Sequence, residues 1–428
     1  MTFTPVLLGF FSIILYVQVR LIKKPFRFLL IDSFFIGLLI YFVGAVIAGI
    51  FVEPGHPSSE KIIWLSTISI ISSTIFLTFF SPNNQIENDN SYSLLSSKNI
   101  TLLTFFLVLF NISFSMTIYK NFFQGGFGFL AIIGNDSLMY ARKMIASGES
   151  GYYAPGLVKL VRDILIPTFI FYLLAYFPNS KKKHVFFLAL STIIAILFGG
   201  RRNPLIALFF AIFIGSTIGK NNSNNKVGLV KIIIFSTLIF GFMTLINLLL
   251  GRSSQSIELS FIMNNFNLLN EILYRIFVEV PHSNILAYDF VIDQNFYFGE
   301  FWFNGIKTLL PGSQEAFSNT LHSFLGGSYA GNAVLGFPFS SYINSGFLGL
   351  ILTPMVVMFF LNYVDSQCIK INKPFLWSIR MIMFVYIPLS YDPQIFLISG
   401  GIIFLFVFSF EKFKYDIKIS TIKQKLNG

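Results

Sequence analysis

Cysteine is almost missing: Cys368 stands alone in 428 residues, which excludes an internal disulfide framework and leaves no Cys/His set for structural zinc. Charge is scarce as well. Asp, Glu, Lys and Arg make up 11% of the chain, against about 25% in ordinary soluble domains. The mean hydropathy is +0.72, so a soluble globular fold is excluded and a bilayer-embedded one is implied. The stretch from Met1 to Arg20 has neither a basic region ahead of its apolar run nor a small-residue cleavage pattern. It reads as a first membrane helix rather than a signal peptide. What is abundant is apolar: 54% of residues are hydrophobic and 55 are Phe, a side chain that serves lipid-facing helices as readily as Leu does.

A spanning helix needs about 20 mostly apolar residues. Candidates lie at 3–19, 28–51, 62–81, 100–118, 157–177, 185–198, 203–219, 227–249, 346–363, 374–391 and 395–410. The expected fold is therefore an all-α polytopic membrane protein of about eleven transmembrane helices. The stretches 185–198 and 203–219 are short, and they fit either two tilted helices or a pair meeting within the membrane around Gly199 and Gly200.

Orientation follows from basic residues in short loops and tails. Arg20, Lys23, Lys24 and Arg27, then Lys181 to Lys183, Lys220 and Lys226, and five lysines from Lys412 to Lys425 all fall on one side when the spans alternate. That side is expected to be cytoplasmic, which makes the chain a multi-pass protein of a cytoplasmic membrane. The chain then divides into 1–249, with eight spans and short loops, a large outer loop at 250–345, and 346–428, with three spans and a basic tail.

Lysine obeys this topology and arginine does not. On it, 16 of 21 lysines are cytoplasmic, whereas six of nine arginines, Arg142, Arg162, Arg201, Arg202, Arg252 and Arg275, are outside. The net charge of +11 is thus mainly a topology signal, and nothing in it points to nucleic acid. Arginine stays charged when partly buried and grips phosphate or carboxylate with two parallel hydrogen bonds. An outward cluster at membrane level therefore suggests a phosphate- or diphosphate-bearing ligand. Local acids offer a plainer explanation for some: Arg275 has Glu271 and Glu279 four residues away, and Arg162 adjoins Asp163. Arg201 and Arg202, in Gly199-Gly200-Arg201-Arg202-Asn203-Pro204, have no acid nearby in sequence.

In the outer loop, Ile262, Phe266, Leu269, Leu273, Ile276, Phe277 and Val280 recur at steps of three and four, which predicts an amphipathic helix on the membrane surface or roofing the bundle. Pro281 interrupts it, and His282-Ser283-Asn284-Ile285-Leu286 follows. A neutral imidazole can act as a general base near neutral pH. A helix-start histidine making a local hydrogen bond is the simpler alternative for His282. Further on, the stretch from Leu321 to Asn332, with His322, Tyr329 and several glycines, fits a loop that approaches sugars through backbone and hydroxyl groups.

Many spans, a Gly-Gly-Arg-Arg turn opening a helix, one large late outer loop and a Gly-rich ending at Gly331 to Gly349 together resemble the oligosaccharide repeat-unit (O-antigen) polymerases of bacterial surface polysaccharide synthesis. The run His282-Ser283-Asn284-Ile285-Leu286 is also similar to the His-Asn-x-x-Leu element of the related O-antigen ligases, with Ser283 in place of Asn. The polymerase pattern of Arg followed eleven residues later by Gly is not matched: Arg142, Arg252 and Arg275 are followed by Tyr153, Met263 and Leu286.

The resemblance implies a GT-C-like membrane glycosyltransferase in a bacterial inner membrane. Such an enzyme works on the outer face, uses undecaprenyl-diphosphate-linked oligosaccharides as donor and acceptor, and needs neither cofactor nor metal. A flippase and a chain-length regulator are the protein partners it implies. Arg201, Arg202 and Arg275 would meet the leaving diphosphate and His282 the attacking hydroxyl, with His322, Asp289 and Glu279 as alternative bases. Arg162, Arg252, His322, Tyr329 and Asn332 would bind substrate. A flippase would also need arginines for diphosphate, but it would more often show two similar halves, and no duplication is evident. A transporter of small solutes would more often carry charges in mid-span, whereas Asp32, Lys231 and Arg380 lie near expected inner ends.

Overall fold

The computed structural model describes residues 3–23, 29–79, 94–122, 161–177, 181–199, 203–220, 277–292, 335–371 and 374–389. Every regular element among them is helical. In hydrocarbon each backbone N–H and C=O must be satisfied within its own segment, so the Ile-, Leu- and Phe-rich runs coil rather than extend. In chain order the helices are α1 (Thr4–Lys23), α2 (Leu30–Ile47), α3 (Pro57–Phe79), α4 (Ser97–Phe122), α5 (Ile166–Tyr176), α6 (Lys182–Gly199) and α7 (Asn203–Lys220), followed by α8 (Glu279–Ile292), α9 (Phe337–Ile371) and α10 (Pro374–Leu389). One π-helical turn, Ala48–Val52, prolongs α2, and another, Val161–Leu165, leads into α5.

Five segments among the described residues are long and apolar enough to cross a membrane: Thr4–Ile22, Leu30–Val52, Pro57–Phe79, Ser97–Ser115 and Phe337–Cys368. Ala207–Thr217 and Pro374–Ile387 are shorter apolar helices. The stretches 185–198 and 203–219 fall in two separate helices, α6 and α7, of 18 residues each. The expected spans at 227–249 and 395–410 lie outside the described residues.

The core forms where α2 meets its neighbours. Leu30, Phe34, Leu38, Tyr41, Phe42 and Ala45 of α2 are all buried, packed between α3 and α10, with α9 alongside. Lipid tails are as apolar as leucine, so helices in a bilayer associate through close packing and interhelical hydrogen bonds. α3 uses both. Its Ser66, Thr67, Ser73 and Thr74 are buried, and Thr67 and Thr74 donate to the carbonyls of Pro5 and Ser12 on α1 at 3.0 and 3.3 Å. Asn111 links α4 to α6 by donating to Ser191 and Thr192, both at 3.0 Å. Phe105 and Phe106 of α4 and Phe186 and Phe187 of α6 are exposed, as the surplus of Phe leads one to expect for surfaces turned to lipid.

α9 breaks at Ser345 and Gly346, where the sequence predicts a span to begin at 346. Gly346 has φ +62° and ψ −154°, a conformation that a side chain bars to other residues. A buried helical stretch from Phe337 to Asn344 precedes the break. Pro281, expected to interrupt a helix, is the third residue of α8. The amphipathic stretch before residue 277 lies outside the described residues.

The contacts between the helices give the bundle two ends. The basal end holds the α1–α2 and α9–α10 turns and the starts of α4 and α6, the last two tied by Lys181 Nζ donating to Ser97 Oγ at 2.6 Å. The apical end holds the α2–α3 turn, the entry to α5 and the start of α7. α8 packs there against α2, its π-helical extension and α3.

Candidate functional site

The apical α2–α3 turn is built from its own backbone. Glu53 N–H donates to the Ala48 carbonyl at 2.9 Å, and the Glu53 carbonyl accepts from His56 N–H and Ser59 Oγ, both at 3.2 Å. His56 Nδ1 accepts from Ser58 N–H at 3.2 Å, satisfying a donor in the first turn of α3 that has no partner within the helix. These bonds fix where the Glu53 side chain starts.

α8 reaches the same place from the far side of the sequence. Gly44 makes the approach possible: a Cβ there would stand 1.6 Å from the carbonyl oxygen of Phe277, so only glycine lets the backbone before α8 lie on α2. Asn284 is buried and donates from Nδ2 to Tyr41 Oη at 2.8 Å. Tyr288, one turn further on, stacks on Phe339 and Tyr342 of α9, and Lys61 lies 4.7 Å over its ring. With α8 so placed, His282 Nε2 comes 3.0 Å from Glu53 Oε1. The side chains are 19% and 34% exposed, so this ion-pairing site is open to solvent on one side.

Arg162 has a different setting. It is buried in the π-helical turn leading into α5, with Nε 2.6 Å from Asp163 Oδ1 and its guanidinium 4.9 Å from the centre of the Phe114 ring. The Asp163 carbonyl accepts from Tyr386 Oη of α10 at 2.8 Å. The neighbouring acid, the plainer of the two explanations the sequence offers, is thus a partner of Arg162. These contacts and those of His282 share no residue.

At the basal end the charges close on one another. Arg20 grips Asp32 through Nε and Nη2 at 2.8 and 2.9 Å, and Tyr16 Oη donates to the same carboxylate at 3.2 Å. Asp365 accepts from Arg380 Nε and, at 2.7 Å, from the backbone N–H of Leu30. Asp32 and Arg380, expected near the inner ends, are both accounted for by these pairs. His184 at the start of α6 lies 3.3 Å from Thr101 Oγ1. Partial burial and then the charge of Lys181 lower its pKa.

Of the residues singled out from sequence, the structure describes the side chains of His282, Arg162 and Glu279. Glu279 is exposed, and its carbonyl accepts from Ser283 Oγ at 2.7 Å. Arg201, Arg202, Arg275, Arg252, His322, Tyr329 and Asn332 lie outside the described residues, and the side chain of Asp289 is likewise not described. Sequence reasoning did not select Glu53, which is 229 residues from His282. The usable signal was topological, since the loop at 52–61 falls on the same side as the loop at 250–345. Among the described residues, no three of His, Cys, Asp and Glu form a group that could hold a metal ion. Comparison of the chain with family models, with curated proteins and with solved structures finds no match.

Proposed function

We propose that this chain is a bacterial inner-membrane glycosyltransferase with about eleven spans and a GT-C-like arrangement. It joins lipid-linked oligosaccharide repeat units into a surface polysaccharide at the outer face. The observation that carries the reading is the placement of His282, from the run that resembles the ligase element, beside a carboxylate at one end of a helical bundle. A base held by a second group is the arrangement that activates a hydroxyl nucleophile. In the proposed step, a hydroxyl oxygen of the acceptor glycan attacks the anomeric carbon of the donor, and the bond from that carbon to the phosphate oxygen breaks. The hydroxyl proton goes to His282, and undecaprenyl diphosphate leaves with the electron pair.

Negative charge then builds on the diphosphate. Arg201, Arg202 and Arg275 are assigned to meet it, because preorganised cations at a developing anion stabilise the transition state without rearranging. Arg162 and Arg252 are assigned to donor or acceptor diphosphate, and His322, Tyr329 and Asn332 to sugars. Transfer to a lipid A core, the ligase reaction, is the second reading, favoured by the same run from His282 to Leu286. Replacing Arg201 or Arg202 by Ala should leave the protein inserted but the cell surface carrying single repeat units. An unchanged polymer ladder would remove these arginines from the site, and loss of all surface glycan with normal repeat-unit synthesis would favour the ligase reading.

A further inference from the structure

We propose that the paired starts of α4 and α6 form a docking surface for an anionic phospholipid, its phosphodiester held by lysines at the basal end and its acyl chains lying along exposed phenylalanines. The inference does not rest on the glycosyltransferase reading. Lys98 stands in the first turn of α4, and Lys181, Lys182 and Lys183 open α6. The two helices run side by side in the same direction: His184 of α6 meets Thr101 of α4, and further along Ser191 and Thr192 meet Asn111. Lys181 Nζ donates to Ser97 Oγ at 2.6 Å, which ties the two helix starts together and gathers their lysines at one place.

That place is short of negative charge. Neither helix has an acid in its first turn, and residues 94–122 and 181–199 contain no Asp or Glu at all. No ion pair among the described residues includes any of the four lysines. A helix N-terminus carries a partial positive charge and leaves its first N–H groups without an intrahelical partner, so lysine is the wrong charge for it. Two such termini side by side with four lysines repel one another unless an anion lies among them. Lys98, Lys182 and Lys183 are exposed and can reach one. The same helices specify the anion. Beyond the lysines, Phe105, Phe106, Phe186 and Phe187 are exposed, and α4 is apolar enough to cross a membrane from Ser97 onward. A ligand that covers both zones carries phosphate at one end and hydrocarbon at the other, as a phospholipid does. Its headgroup must be net negative, since a zwitterionic one brings its own cation to the lysines.

The test compares the full-length protein with a triple variant, Lys98→Gln, Lys182→Gln and Lys183→Gln, which leaves the Lys181 tie in place. Titrated with dioleoylphosphatidylglycerol in detergent and read by native mass spectrometry, the parent should bind about 100-fold more tightly than the variant, from about fivefold for each lysine at an anionic headgroup. Phosphatidylcholine of the same chains should bind both proteins weakly and alike. Melting in nanodiscs gives a second reading whose sign changes with the lipid. In phosphatidylglycerol the parent should melt above the variant; in phosphatidylcholine, where the repulsion is unrelieved, the variant should melt at or above the parent. Inorganic phosphate added to the phosphatidylcholine discs should not restore the parent's advantage. Equal affinity of parent and variant, equal affinity for the two lipids, or full rescue by phosphate alone would overturn the proposal. So would a variant that melts below the parent in phosphatidylcholine, because Glu87 and Asp89, in the stretch before α4 and outside the described residues, would then already neutralise the lysines. Removing three tail lysines instead, by Lys418→Gln, Lys423→Gln and Lys425→Gln, should keep the preference for phosphatidylglycerol. An equal loss there would reduce the effect to overall charge and reject the surface.

Discussion

Two ion pairs, one at each end of the bundle, hold their charges differently. At the basal end, Arg380 and Asp365 are 5% and 2% exposed, and Asp365 also receives the N–H of Leu30. At the apical end, His282 and Glu53 are 19% and 34% exposed. The buried Asp365 carboxylate, bonded to Arg380 and to Leu30 N–H, joins α9 to α10 and to the start of α2 as a fixed clasp. The His282 imidazole is only partly buried beside its carboxylate, and imidazole is the side chain suited to proton transfer near neutral pH. The Arg380–Asp365 pair is built to hold and the His282–Glu53 pair to exchange, and on our reading only the second belongs to chemistry.

The sharpest way to break this contrast is to ask whether the ends lie on opposite sides of the membrane. In a protein carrying Cys368→Ser, a membrane-impermeant thiol reagent should label His56→Cys in intact cells and Lys181→Cys only after permeabilisation. Labelling of both, or of Lys181→Cys alone, would overturn the orientation. Next in size is Arg380→Ala, which strands the Asp365 charge and should destabilise the protein by about 3–5 kcal/mol, seen as a large fall in melting temperature. If it melts normally, the clasp is not holding the helices.

Gly44→Ala brings a methyl group against the backbone carbonyl of Phe277. It should shift α8 and separate His282 from Glu53, at a cost of about 1–3 kcal/mol. An unchanged His282 ring signal by NMR in that variant would show that α8 does not depend on its seat. Smallest of all, Glu53→Ala should change thermal stability by about 1 kcal/mol or less, as partly exposed pairs do. A drop as large as that of Arg380→Ala would turn the apical pair into a second clasp and erase the difference between the pairs.

How much of this could be read from the sequence depends on how far apart the partners are. Helices α1 to α4 follow from apolar runs, because lipid leaves the backbone no alternative. Arg162 and Asp163 are adjacent, so their pairing was one of the two alternatives the sequence offered. Glu53 and His282 could not be paired, since only the seating of α8 on Gly44 joins them, and a glycine in an apolar helix does not reveal what will lie against it. Leu30 and Asp365, 335 residues apart, were invisible for the same reason.

The most direct measurement of the central claim is reconstitution. Purified protein in nanodiscs, given a chemically defined undecaprenyl-diphosphate oligosaccharide, should lengthen the glycan by whole repeat units and release undecaprenyl diphosphate in equal amount. His282→Ala should stop both while the variant still melts like the parent. No lengthening by the unaltered protein, or undiminished lengthening by His282→Ala, would contradict the account.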